Sequence, residues 1–283
     1  MNVLAFVDRS HYAASVCDHA AWAAGRLGLP VELLHAIERH PDRTAPADRS
    51  GRLGVDTDEH LLTELVTLDE QRNRVARQSG RVLLDDAAGR IRDAGIAEVY
   101  QRLEQGDLAG QLRDHEANAR LIVIGKGGEA AKSGASHVGR NLERVIRASH
   151  KPVLIVPETF RPIRRYLLAW DGGKSTGDAI NYLVESPLLR EVEGQVLMAG
   201  DGSGMDRERL GDAVRHLESA GLRVTGAARE GEPETVIAVA VEREGIDLLV
   251  MGAWGHSRIR QLMIGSTTTE LLRRCDASML VFH

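Results

Sequence analysis

One order of apolar runs and amphipathic stretches occurs twice along this chain, and that repetition limits the fold more than any single motif does. Val3–Val7 reads as a strand, followed by a helix from about Ser10 to Leu27 with Tyr12, Val16, Ala20, Ala23 and Leu27 on one face. Val31–Ala36 is a second strand, and a long helical region runs to about Ala94. Ala97–Leu103, Leu121–Ile124 and Pro152–Val156 read as further strands, alternating with helices at Asp107–Glu116 and Asn141–Ala148. Leu121-Ile122-Val123-Ile124 is apolar at every position, as expected of a strand covered on both faces of a parallel sheet. Strand and helix in strict alternation imply a doubly wound α/β domain.

The order then restarts. Tyr166–Asp171 ends in an aspartate as Val3–Asp8 does, and Gly194–Gly200 is the next strand. Leu222–Arg229 leads into Gly231-Glu232-Pro233-Glu234, which matches the turn at Gly106-Asp107. Leu248–Gly252 answers Leu121–Gly125, and Ser278–Phe282 answers Val153–Val156. Correspondences that all fall in one order imply an internal duplication. The prolines at 157 and 162 interrupt the strand signal, so the domains are expected at 1–157 and 163–283. A chain of 283 residues also suits two domains of roughly 150. The first copy carries an extra polar segment, 38–69, whose start reads as a loop and whose end leads into a long helix. A solvated excursion is the plainer account of it, and a lid or a partner contact the alternative.

Charge and cysteine usage narrow the setting. The net charge of −5 supplies no general attraction to nucleic acid or anionic lipid. Cys17 and Cys275 lie far apart in segments that read as helix, which suits reduced thiols rather than a disulfide framework. No apolar run approaches the ~18 residues of a membrane span. The N-terminal MNVLAFVDRS lacks a basic region and reads as a strand rather than a signal peptide. A cytoplasmic protein without membrane insertion is expected.

Chemistry concentrates after the fourth strand of the second copy. Gly252, Gly255 and Gly265-Ser266-Thr267 have the spacing G-x2-G-x9-G-S. Glycines there allow tight turns and close ligand approach, and a helix opening at Gly265-Ser266-Thr267 offers free N–H groups and a positive dipole end to a phosphate. Gly252 to Thr269 contains no acidic residue, while Arg258 and Arg260 are positive. Thr267-x-x-Glu270 also fits a capping box, which any helix start can use. The glycines alone suit structure and function equally. Asp171 ends the first strand of this copy, and if that strand neighbours the fourth its carboxylate faces the glycine loop. Capping of the following helix is an equally good use of it.

With these residues in place, the second copy resembles a universal stress protein domain of the nucleotide-binding kind, and the whole chain resembles the tandem members of that family. The resemblance implies two Rossmann-like parallel five-stranded sheets in the order 3-2-1-4-5, related to the adenine nucleotide alpha-hydrolases. It implies that the copies pack as an intramolecular pseudo-dimer through their fifth strands, with a further homodimer and an unidentified protein partner left open. It implies ATP or a related adenine nucleotide as ligand, with Mg an option, in a stress-response sensor or regulator. By position, Asp171 would contact the ribose, and Ala169, Trp170 and Met251 would lie near the base. Gly252, Gly255, Gly265, Ser266 and Thr267 would hold the phosphates, with His256 beside them.

The first copy departs from this pattern. Gly125-Lys126-Gly127-Gly128 is followed after ten residues by Gly139, then by Arg140-Asn141 in place of small hydroxyl residues. Asp8 is retained, and Lys126, Lys132 and Arg140 would still attract an anion, but a degenerate site is the favoured reading. Gly173-Lys174-Ser175 suggests a P-loop, yet Leu168 stands where a Walker motif needs its first glycine. A pyrophosphatase loop of the Ser-Gly-Gly-x-Asp-Ser type matches poorly, because Asp171 and Ser175 stand at its Ser and Asp positions. Cys17-Asp18-His19 lies on one helix turn with diverging side chains and no fourth ligand, so no metal group is assigned. His35, His115, His137 and His150 read as surface or hydrogen-bonded histidines, and no catalytic set is assigned. The rival function is a nucleotide-independent protein that uses the excursion and the paired sheets to bind another protein or an apolar ligand.

Overall fold

The structure, a computed structural model, describes residues 1–37, 55–128, 140–200, 204–253 and 265–283, with backbone only at 55–63, 65 and 140. The first copy runs β1 (Asn2–Phe6), α1 (Ala13–Leu27), β2 (Val31–Ile37), α2 (Val55–Asp93), β3 (Val99–Gln105), α3 (Leu108–His115), β4 (Ala119–Gly125), α4 (Arg140–Ala148) and β5 (Val153–Val156). The second runs β6 (Arg165–Ala169), α5 (Lys174–Glu185), β7 (Glu193–Ala199), α6 (Gly204–Ser219), β8 (Arg223–Arg229), α7 (Pro233–Arg243), β9 (Leu248–Gly252), α8 (Ser266–Arg274) and β10 (Ser278–Phe282). One ten-stranded sheet in the order β3-β2-β1-β4-β5-β10-β9-β6-β7-β8 unites them. Each half has the 3-2-1-4-5 order. The halves join through antiparallel β5 and β10, with Leu154 opposite Leu280.

That antiparallel seam decides where everything else lies. It relates the copies by a two-fold axis normal to the sheet, so equivalent helices share a face. Residues of α1, α2, α5 and α6 build one core layer, and those of α3, α4, α7 and α8 build the other. The carboxyl ends of the parallel strands point to opposite rims, one candidate ligand rim per copy. Central strands β1, β5 and β10 are buried throughout. Edge strand β3 instead exposes Tyr100 and carries Arg102 and Glu104, the charged dressing that discourages edge-to-edge pairing. Opposite Tyr166, the largest fully buried side chain among the described residues, β7 carries Gly194. A Cβ on Gly194 would stand 2.2 Å from the Tyr166 ring, so only glycine fits there.

The expected helix at Ser10 starts at Ala13 instead, because the Ser10 amide and hydroxyl both donate to Asp8 in a turn that delays it. Of the polar excursion, 38–54 lies outside the described residues, whereas 55–69 belongs to the 39-residue helix α2. Of the two states expected of His35, the hydrogen-bonded one holds: it is buried in β2, and its Nδ1 meets the Val7 carbonyl at 2.8 Å. The three residues read as a weak metal group do diverge. Burial pushes the Cys17 thiol up to about 12. Asp18 accepts two bonds from Arg90, at 2.6 and 2.7 Å, tying α1 to α2. His19 crosses to the second copy through Nε2 and Ser278 Oγ at 2.8 Å. Cys275 stands at the C-cap of α8 rather than inside a helix. His115 sits 3.3 Å from buried Glu32, and His150 is exposed.

Candidate functional site

β6 and β9 are neighbours, with Leu168 opposite Val250, so their carboxyl ends open on the same rim. Asp171 follows β6 there and is exposed. Its Oδ1 accepts from the Gly173 amide at 2.8 Å and the Thr176 hydroxyl at 2.7 Å. The capping use of this aspartate is thus realised, because α5 begins at a glycine N-cap with no side chain of its own. Asp8 and Ser10 repeat the turn in the first copy.

Across the rim, α8 begins with Gly265 as its N-cap, and no side chain caps it. The capping box expected of Thr267 and Glu270 does not form. Thr267 is already inside the helix, and Glu270 reaches forward to Arg274 at 3.0 Å. Ser266 is exposed and Thr267 half-buried at this helix start. One residue escaped the sequence reading. Thr268, 2% exposed, places Oγ1 3.2 Å from the Ala253 carbonyl and 3.4 Å from that of Gly252. It stitches the first turn of α8 to the end of β9, and the third hydroxyl of the Ser-Thr-Thr-Thr run was the available signal. Gly265 donates to the same Ala253 carbonyl at 3.3 Å, and Ala253 to Phe282 at 2.6 Å. The two ends of the glycine loop are therefore clamped together.

The residues expected near a base divide between the faces of the sheet. Ala169 and Met251 belong to the core layer of α7 and α8. Trp170 packs at the margin of the other layer, where Gly172 adopts φ 69° beside its indole. Alternation along β6 puts adjacent residues on opposite faces. Gly252 is half-buried at the end of β9. Gly255 and His256, with Trp254, Arg258 and Arg260, lie outside the described residues.

The first copy differs at both matching places. Tyr12 leans over the end of β4 so closely that a Cβ on Gly125 would come within 2.6 Å of the Tyr12 Cβ. Four residues after its own aspartate, the second copy has the small Ser175 in that position. Lys126 is engaged elsewhere: Nζ donates to the Cys275 carbonyl at 2.7 Å, and burial holds its pKa below the usual lysine range. Lys132 and Gly139 lie outside the described residues, as does the side chain of Arg140.

The rival loop at 171–176 is spent on structure. Lys174 pairs with Asp178 at 2.7 Å along α5, and Ser175 is buried. Among the described residues no group of His, Cys, Asp and Glu is arranged to hold a metal ion. No helix among them is long and apolar enough to cross a membrane.

The universal stress protein family model matches residues 1–157 and again 163–283. A universal stress protein of Synechocystis sp. is 34% identical over 286 residues, spanning 100% of this chain and 99% of its own length. One from Mycobacterium tuberculosis is 23% identical over 296 residues, spanning 94% and 92% respectively. Among solved structures, a universal stress protein from Archaeoglobus fulgidus superposes with a TM-score of 0.71 at 20% identity, covering 99% of this chain and 97% of that one.

Proposed function

The chain belongs to the universal stress protein family, and we propose that its C-terminal copy binds ATP or a related adenine nucleotide and acts as a stress-response sensor or regulator. The observation that carries this reading is the start of α8: a glycine N-cap without a side chain, followed by Ser266 and Thr267, on the rim where Asp171 ends the neighbouring strand. Main-chain N–H groups, two hydroxyls and the positive end of the helix dipole converge there, which is the chemistry a phosphate group needs. By sequence position, Gly252 and Gly255 join Gly265, Ser266 and Thr267 in holding the phosphates, with His256 beside them. Asp171 receives the ribose. Ala169 and Met251 flank the base on one face, with Trp170 at its edge.

Binding without rapid turnover follows from the same residues. From Gly252 to Thr269 the sequence offers no carboxylate to hold magnesium or to activate water. A nucleotide then acts by shifting conformation or partner preference. Freshly purified protein denatured and examined by mass spectrometry should release an adenine nucleotide. No release, together with no calorimetric binding of added ATP, would leave the interaction-protein reading in its place.

A further inference from the structure

α2 extends well beyond the domain it covers. Gly80, Leu84, Ala87, Ala88 and Ile91 pack it onto the sheet, but from Glu64 to Val75 every described residue except Asp69 is exposed. A helix exposed all round has no packing to hold it, and so short a piece is marginal in water by itself. Its exposed apolar residues are not scattered. Leu68, Val75 and Val82, at 43%, 65% and 55% exposure, recur every seven residues, and Leu61 stands seven before them. Leu65, Arg72 and Ser79 fall between, which makes the 4-3 alternation of a two-helix seam. Val82 is two residues from both Gly80 and Leu84, so the stripe lies on the side of the helix away from its own sheet. Val66, also exposed, falls on another face.

Charge along the same helix is segregated. Residues 55–70 contain Asp56, Asp58, Glu59, Glu64, Asp69 and Glu70 without a lysine or arginine. Residues 71–81 contain Arg72, Arg74, Arg77 and Arg81 without an acid. We propose that α2 is a dimerisation surface, pairing antiparallel with α2 of a second copy about a two-fold axis close to Gln71. A parallel pair would lay acids beside acids and arginines beside arginines at an interaxial distance of roughly 8–10 Å. The antiparallel pair reverses this. The register that sets Leu68 beside the partner's Val75 also sets Asp69 beside the partner's Arg74 and Glu64 between the partner's Arg77 and Arg81. The helix from residue 61 to residue 82 is about 32 Å long, and an isologous contact of this kind closes at two copies.

Equilibrium sedimentation of the full chain across the micromolar range should give twice the chain mass, with the dimer weakening as salt rises. Leu68→Glu with Val75→Glu should weaken it at least tenfold while circular dichroism stays unchanged, since both side chains are exposed in the single chain. Orientation is read by a short bismaleimide, with native Cys17 and Cys275 protected by burial. Gln71→Cys should cross-link to its counterpart. Val82→Cys should not, because the antiparallel pair holds those positions about 30 Å apart. A single-chain mass throughout, a dimer indifferent to the double substitution, or efficient cross-linking at Val82→Cys would each overturn the proposal.

Discussion

Lys126 of the first copy donates from Nζ to the main-chain carbonyl of Cys275 in the second, at 2.7 Å. Cys275 is the C-cap of α8, so the lysine meets the negative end of the helix whose positive end is the proposed phosphate site. A charged donor on a main-chain carbonyl in a partly buried place is worth about 1–2 kcal/mol. Lys126→Met should lower the stability measured by urea unfolding by about that amount. No change would mean that the contact adds nothing.

Asp171 caps α5 and is proposed to meet the ribose, and substitution by its amide separates the two uses. Asp171→Asn keeps an oxygen for the Gly173 amide, so stability should fall by less than about 0.5 kcal/mol, whereas Asp171→Ala loses a cap worth about 1 kcal/mol. Both should weaken adenine nucleotide binding by roughly tenfold, or about 1.4 kcal/mol. Unchanged affinity in Asp171→Asn would remove the ribose role and leave only the cap.

Thr268→Val preserves shape and deletes the hydroxyl that spans the Gly252 and Ala253 carbonyls. Thermal unfolding should show a loss of about 1 kcal/mol. A variant as stable as the parent would show that the first turn of α8 needs no such stitch.

His19 links the copies through Ser278 and is fully buried, and burial lowers its pKa to about 4. The unfolded chain, with an ordinary histidine near 6.5, binds a proton that the folded chain refuses. Stability is therefore complete above about pH 6.5 and declines as pH falls toward 4, by about 2–3 kcal/mol for this one group. His283, also lowered to about 4 by burial, acts in the same direction. Urea unfolding at pH 7.5 and pH 5 should show the decline, and His19→Gln should flatten it. An equally steep decline in that variant would assign the effect to other groups.

Local pattern and long-range contact differed in how readable they were. Strand runs such as Leu121–Ile124 declare burial on both faces, and the paired ends Asp8 and Asp171 reveal the duplication without any three-dimensional information. Pairing of β5 with β10 came from the family resemblance and not from periodicity. His35 is hydrogen-bonded, one of the two expected states, but its neighbours in sequence do not reveal the Val7 carbonyl as its partner. Lys126 was read as an anion attractant because its true acceptor, Cys275, lies 149 residues away across the seam. Tyr12 over Gly125 was invisible for the same reason: it depends on how α1 settles on β4. The division of Ala169 from Trp170 could have been read from strand alternation alone.

Isothermal titration of ATP into the nucleotide-stripped chain tests the central claim most directly. One site per chain is expected, lost at least a hundredfold in Gly265→Val, because the added methyls occupy the phosphate approach while φ −55° at Gly265 is open to any residue. Gly139→Val, the counterpart in the first copy, should leave that affinity unchanged. ATP bound equally well by Gly265→Val, or two equivalent sites per chain, would contradict the account.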